Sequence, residues 1–215
     1  MGRKCVVILL DGLGDRAAAS LGNQTPLQAA ATPHLDRLAQ EGSCGLFHAT
    51  RLGQALPSEN AHFALFGYAE SEFPGRGPLE ALGAGIPLAP SDVAILAQVG
   101  CVRATDDGLL VTGRGLKSNK SEAEAVFATI GNADFEGLHF RYIWTHRLAG
   151  ILVVSGGASP YVTDTDPLLV GRMMIEPTAW RHGPADTGVR RTTCALKSYL
   201  QFTQKALREH PVNQA

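Results

Sequence analysis

Six consecutive apolar residues, Cys5-Val6-Val7-Ile8-Leu9-Leu10, open the chain's hydrophobic pattern; they are apolar on both alternating faces and β-branched in the middle. That pattern predicts a central strand of a parallel sheet covered on both sides. Asp11 would then sit at the strand's carboxyl end, the edge of an open α/β sheet where ligands collect. The period then lengthens. Thr32-Pro33 offers an N-cap and a first-turn proline, Leu35, Leu38 and Ala39 share one face, and Gly42 closes the predicted helix. A second helix is expected from Glu59 to about Phe66, with Ser58 as its N-cap and Gly67 at its end. The Gly- and Pro-rich stretch from Gly75 to Gly85 predicts a tight loop holding a short helix at Leu79 to Leu82.

Beyond Gly85 the texture changes to strand pairs. Val93 to Val99 has a strand pattern, and Asp106-Asp107-Gly108 is a turn signal between Cys101-Val102-Arg103 and Leu109-Leu110-Val111, as in a hairpin. A helix from about Ser121 to Ile130 follows, then strand-like runs at His139 to Thr145 and Gly150 to Val154, and finally a helix from about Thr192 to Glu209. Strand pairs around one helix suggest an α+β module set into an α/β core. The expected division is residues 1–90 as the amino-terminal part of an α/β core, 91–188 as an inserted α+β module, and 189–215 as a carboxyl-terminal helix.

Composition narrows the function classes. With 215 residues, 45% of them hydrophobic and 18% charged, the chain can bury a substantial core and is not a disordered segment. Nineteen basic residues against twenty acidic ones leave no broad footprint for nucleic acid or an anionic membrane, so a small-molecule substrate is the better expectation. Cys5, Cys44, Cys101 and Cys194 are scattered without C-x-x-C spacing, which suits reduced thiols in a cytoplasmic protein. Asp11 interrupts the first apolar run too early for a signal peptide or a membrane span.

Two residues stand out for chemistry, each with a bland alternative. An aspartate after a strand often caps the following turn, so Asp11 is either a cap or a metal ligand. Ser58 is either an N-cap or a nucleophile at a helix start, where oriented N–H groups and the dipole suit an incoming phosphate. A serine hydroxyl needs a base or a metal ion to become a good nucleophile. No Ser-His-Asp spacing and no G-x-S-x-G motif surrounds Leu56-Pro57-Ser58-Glu59-Asn60, so metal activation by a site including Asp11 is the better mechanistic reading. His62, one helical turn beyond Ser58, is expected to be structural.

Val7-Ile8-Leu9-Leu10-Asp11-Gly12-Leu13-Gly14-Asp15, then Thr25-Pro26-Leu27, then Thr32-Pro33-His34-Leu35-Asp36-Arg37-Leu38-Ala39 closely resemble the amino-terminal region of archaeal-type cofactor-independent (2,3-bisphosphoglycerate-independent) phosphoglycerate mutases, enzymes of the alkaline phosphatase superfamily. Pro57-Ser58-Glu59-Asn60-Ala61-His62 to Gly67-Tyr68 resembles that family's nucleophile segment. Gly75-Arg76-Gly77-Pro78-Leu79-Glu80-Ala81-Leu82-Gly83-Ala84-Gly85 is similar to its next signature almost residue for residue. His146-Arg147, Asp164-Thr165-Asp166-Pro167 and His210-Pro211-Val212-Asn213 also match, in order.

The resemblance implies an alkaline-phosphatase-like α/β core and a two-metal phosphotransfer site using Mn, Mg or Zn. In it Asp11 and Ser58 bind metal, and Ser58 takes the phosphoryl group while 3-phosphoglycerate and 2-phosphoglycerate interconvert, a step of glycolysis. Arg76 would orient phosphate or carboxylate, with a surface loop arginine as the alternative. His146, Arg147, Asp164 and Asp166 fall in the part resembling the substrate-covering module, although Asp164 to Pro167 equally suits a turn held by aspartate side chains. The chain departs from the family in two places: Pro57-Ser58-Glu59-Asn60 replaces the usual glycine-serine-aspartate-threonine, and Ala69-Glu70 replaces aspartate-proline. The family's remaining metal ligands, an aspartate-x-x-x-histidine segment and an aspartate-histidine pair, have no counterpart here. One aspartate and one serine do not satisfy two hard cations. The expectations are therefore a truncated mutase, half of a split enzyme pairing with a partner chain, or a non-catalytic descendant, with a phosphohydrolase of the same superfamily as the enzymatic rival.

Overall fold

The computed structural model describes residues 2, 4–114, 118–180 and 186–214. The chain divides into two units, Met1–Leu56 and Pro57–Ala215.

In the first unit the regular elements are short. Helix α1, Pro26–Ala29, is closed by a reciprocal cap in which Gln28 N donates to Thr25 Oγ1 at 3.2 Å and Thr25 N donates to Gln28 Oε1 at 2.9 Å. Helix α2, Pro33–Glu41, begins at the predicted Thr32-Pro33 and ends where the Gly42 N–H donates to Leu38 O at 3.0 Å. The Thr32 hydroxyl does not cap it, but lies 3.0 Å from Asp36 Oδ1. The strand expected at Cys5 to Leu10 is not formed. Those six residues have no ladder partner, and Val6 and Ile8 are 80% and 74% exposed. A strand exists only through its neighbours' hydrogen bonds, and a two-faced apolar strand also needs layers above and below it. Among the described residues of this unit none is buried.

The second unit has a true core. It begins with α3, Ser58–Leu65, and α4, Arg76–Gly83, followed by strand β1, Val93–Gln98. Strands β2, Cys101–Thr105, and β3, Gly108–Gly113, form the predicted hairpin around Asp106-Asp107. Helix α5, Lys120–Ile130, starts in a capping box between Asn119 and Glu122. Strands β4, Asn132–Phe135, β5, Leu138–His146, and β6, Ala149–Ser155, complete a four-stranded antiparallel sheet in the order β1-β6-β5-β4. Helices α6, Thr187–Arg208, and α7, Pro211–Gln214, close the unit. Helix and sheet are mixed throughout, consistent with an α/β protein. Among the described residues no helix is long and apolar enough to cross a membrane.

Strand β6 organises the packing, since Gly150 to Val154 are all buried. Leu152 and Val154 point into a cluster with Phe127 and Ile130 of α5, Phe140 and Tyr142 of β5, and Ala195, Leu196 and Tyr199 of α6. Ile151 and Val153 point the other way, to Ala81 of α4. The Phe140 and Tyr199 rings stack at a centroid separation of 4.8 Å and 8° between planes, and Tyr199 donates to Ile130 O at 2.9 Å. Helix α6 begins five residues earlier than its apolar period suggests. Asp186 caps it, its Oδ1 accepting from Gly188 N and Val189 N, and Val189 is fully buried.

Burial pushes the Tyr199 phenol up to about 12 from an ordinary value of 10.0, and raises Tyr142 further in the same direction. A folded-state pKa above the unfolded one means the native state keeps its proton where the unfolded chain loses it. The associated stability is present in full below pH 10 and is lost as pH rises through about 12. Urea midpoints should fall across that window, and Tyr199→Phe should flatten the fall. Removing the stacked ring by Phe140→Ala should cost about 3–5 kcal/mol in the same unfolding measurement.

Candidate active site

Ser58 is the first residue of α3, not its cap: Pro57 holds the cap position with extended backbone, and Ala61 N donates to Pro57 O at 3.0 Å. The proline explains the shift. Its fixed φ suits the entry into a helix, and Ser58 is left exposed, with no side-chain capping bond, beside the N–H groups of the first turn that lack helical acceptors. The aromatic pair Phe63 and Tyr68, stacked at 4.5 Å, and Phe73, edge-on to Phe63 at 5.5 Å, fold the segment after α3 back on it.

An open cavity of about 480 Å³ lies between α3 and α4, lined by Ser58, Glu59, His62, Arg76, Leu79 and Glu80. Two of the residues singled out from sequence, Ser58 and Arg76, therefore share one cleft. Arg76 Nη2 donates to Glu80 Oε1 at 3.1 Å, and its Nε lies 4.0 Å from Glu59 Oε1. These partly exposed ion pairs add little stability, so their consequence is orientation: carboxylates on two helices bracket one guanidinium. Two carboxylates against one guanidinium also leave these lining groups with net negative formal charge. Glu59, Glu80 and His62 line the cleft without being marked as site residues by the sequence pattern. The signal for Glu80 and His62 was helical spacing, four residues beyond Arg76 and Ser58 respectively.

Helix α4 is seated by glycines. Gly75 at its cap has φ 96°, a conformation side chains disfavour. Gly77 is buried, and a Cβ there would meet Ala94 O of β1 at 1.9 Å and Ala94 C at 2.6 Å. The helix backbone thus lies directly on the strand, which fixes where Arg76 can reach. The expected short helix at Leu79 to Leu82 is longer for this reason, its first turn being the part pressed onto β1.

Within the second unit, His146, Arg147, Asp164 and Asp166 do not line this cleft. Asp11 is exposed in a turn of the first unit. His146 ends β5, its Nδ1 3.0 Å from Thr145 Oγ1, and Arg147 turns the β5–β6 connection with φ 48° while its carbonyl accepts from Trp144 Nε1 at 2.6 Å. Asp164 is exposed. Asp166 pairs with Arg114 and accepts from Leu168 N at 2.8 Å, a turn-holding role of the kind its sequence also allowed. Among the described residues no three His, Cys, Asp or Glu side chains come together to hold a metal ion. A hard divalent ion takes about six oxygen ligands, so the donors present do not by themselves fit the implied metals.

The family model described as 2,3-bisphosphoglycerate-independent phosphoglycerate mutase matches residues 39–213. The chain is 38% identical to the protein of that name from Methanopyrus kandleri, over 98% of this chain and 50% of the relative. It is 36% identical to 2,3-bisphosphoglycerate-independent phosphoglycerate mutase 2 of Methanocaldococcus jannaschii, over 98% of this chain and 51% of the relative. The solved cofactor-independent phosphoglycerate mutase from Thermoplasma acidophilum matches with a TM-score of 0.55 and 34% identity, covering 96% of this chain and 53% of that one. This chain belongs to the 2,3-bisphosphoglycerate-independent phosphoglycerate mutase family. It spans about half the length of the curated relatives it matches.

Gly77→Ala should displace α4 from β1 and cost about 1–3 kcal/mol, the usual penalty of overpacking. Urea unfolding of the variant measures the cost. A crystal structure of it should place the Arg76 guanidinium away from Ser58.

Proposed function

We propose that this chain carries the phosphoryl-accepting half of a phosphoglycerate mutase site. The observation that supports it best is Ser58, exposed at the first turn of α3 in the same cleft as Arg76. In this reading the Ser58 oxygen bonds to phosphorus as the phosphorus–oxygen bond to C3 of glycerate breaks, and the serine proton ends on the departing glycerate oxygen. Return of the phosphoryl group to the C2 hydroxyl restores the serine and yields 2-phosphoglycerate, with no net gain or loss of atoms.

Arg76 binds the phosphoryl oxygens, its fork of donors already held by Glu59 and Glu80. The net negative charge of those groups supports a requirement for added cations, because a phosphate would otherwise meet two carboxylates with one guanidinium as compensation. Asp11 and Ser58 are proposed as two metal donors, with the rest of the set coming from the portion of the family fold that this chain does not span. His146, Arg147, Asp164 and Asp166 are proposed to face glycerate from the 91–188 module, with 1–90 and 189–215 belonging to the core. A cytoplasmic enzyme of the alkaline phosphatase superfamily fits this chemistry, and the chain alone is proposed to be incomplete as a catalyst.

The chain incubated alone with manganese and 3-phosphoglycerate should give no turnover. Supplied with a polypeptide spanning the remaining half of a relative, it should form 2-phosphoglycerate and a phosphopeptide at Ser58, detected by mass spectrometry after acid quench. Ser58→Ala should remove both, lowering turnover at least about a thousandfold. Robust turnover by the homogeneous chain alone would overturn the incompleteness, labelling at another residue would overturn the role of Ser58, and release of inorganic phosphate would identify a hydrolase.

A further inference from the structure

Arg76 stands where helix physics does not favour it. It is the first residue of α4, and the positive end of the helix macrodipole disfavours a cation there. Its partner Glu80 follows four residues on, in the less favourable order for a helical ion pair, and lies in the half of α4 nearer the negative end. The pair therefore does not serve the helix. Glu59 is placed the other way round. It is the second residue of α3, an acidic residue in a first turn, where the dipole stabilises a carboxylate with or without a partner. The two contacts differ in length to match. Glu80 Oε1 accepts from Arg76 Nη2 at 3.1 Å, whereas Glu59 Oε1 lies 4.0 Å from Arg76 Nε, at the outer limit of an ion pair.

We infer that the two carboxylates act in opposite senses on a phosphoryl group entering the cleft: Glu80 is a positioning residue that keeps the Arg76 guanidinium in place, and Glu59 is a placeholder that the phosphoryl group displaces. A guanidinium has five N–H donors, so Arg76 can serve Glu80 through Nη2 and a phosphoryl group through the others at the same time. Glu59, once released, keeps its favourable place at the start of α3, so the exchange costs little on that side. Glu80, once released, would be a carboxylate near the wrong end of its own helix. The shorter contact therefore stays and the longer one opens. Opening it also unties α3 from α4 beside Ser58, within the cleft that both helices line. These roles rest on the reading that Arg76 binds phosphoryl oxygens, and they add which partner lets go.

Titration of the full chain with inorganic phosphate tests these roles, followed by calorimetry and by NMR of the Arg76 guanidinium, its signals assigned through Arg76→Lys. Glu59→Gln should tighten phosphate binding about fivefold, the value of one unit charge at about 4 Å in water-like surroundings. Plain relief of charge repulsion predicts the same tightening at Glu80, so the sign there is decisive. Glu80→Ala should weaken binding by about threefold, because a freed arginine must be ordered on binding. Glu80→Gln, whose amide oxygen still accepts from Nη2, should recover most of that loss. Without phosphate, rotation of the Arg76 guanidinium should be hindered in the unaltered chain and in Glu59→Gln, and free in Glu80→Ala. Exposed ion pairs add little stability, so the variants should keep the near-ultraviolet circular dichroism of the folded chain. Tightening by both Glu59→Gln and Glu80→Ala, weakening by both, no response of Arg76 to phosphate, or rotation freed by Glu59→Gln would each overturn the assignment. Displacement of Glu59 without any phosphoserine at Ser58 would sink the transfer chemistry and leave the carboxylate roles standing; phosphoserine formation with both variants shifting affinity in one direction would do the reverse.

Discussion

The burial of β6 on both faces is the constraint from which the second unit follows. A strand whose consecutive residues are all in the interior must have pairing on both edges and a layer on each side. Strands β1 and β5 supply the edges; α4 supplies one layer, and α5 with α6 the other. The candidate site is a by-product of that arrangement. Helix α4 can serve as a layer only because Gly77 lets its backbone touch Ala94, and the same contact sets the start of α4, and hence Arg76, at the mouth of the cleft. Packing and chemistry therefore share a residue with no side chain.

Much of this was legible in the sequence wherever order is decided locally. The hairpin at Asp106-Asp107-Gly108, the α5 span and the paired strands flanking His146-Arg147 all follow from turn chemistry and period, which act over a few residues. The α6 start lies ahead of its apolar period because the period registers apolar residues and overlooks a cap such as Asp186 that precedes them. The run at Cys5 to Leu10 has a strand pattern for a sound reason, its two-faced apolarity. Pairing, however, is not a local property, and a strand pattern states a need without meeting it.

Two residues that line the candidate cleft, Ser58 and Arg76, are legible in the sequence, but the cleft's electrostatics are not. Ser58 and Arg76 were singled out, and one cleft holds both; Glu59 and Glu80, which decide how Arg76 is held, carried no signal stronger than helical spacing. Glu59 also stands at one of the positions where this chain departs from its family's usual residues. The proline that replaces glycine before the serine has a visible result, since it takes the cap position and moves Ser58 into the helix. Asp166 is engaged by Arg114 and accepts from Leu168 N in a turn, a use that spacing alone does not separate from ligand contact.

Two consecutive residues of α6 grip the segment that leaves β6. Arg191 donates through one guanidinium nitrogen to the carbonyls of Gly156 and Gly157, each at 2.8 Å, and the Thr192 hydroxyl accepts from Ser159 N at 2.8 Å while donating to Gly188 O. The long helix and that connection are thereby geared together. A tilt of α6 would be transmitted as a displacement of the chain entering the 160–180 stretch, so a lever 22 residues long is coupled to the segment that bears Asp164 and Asp166.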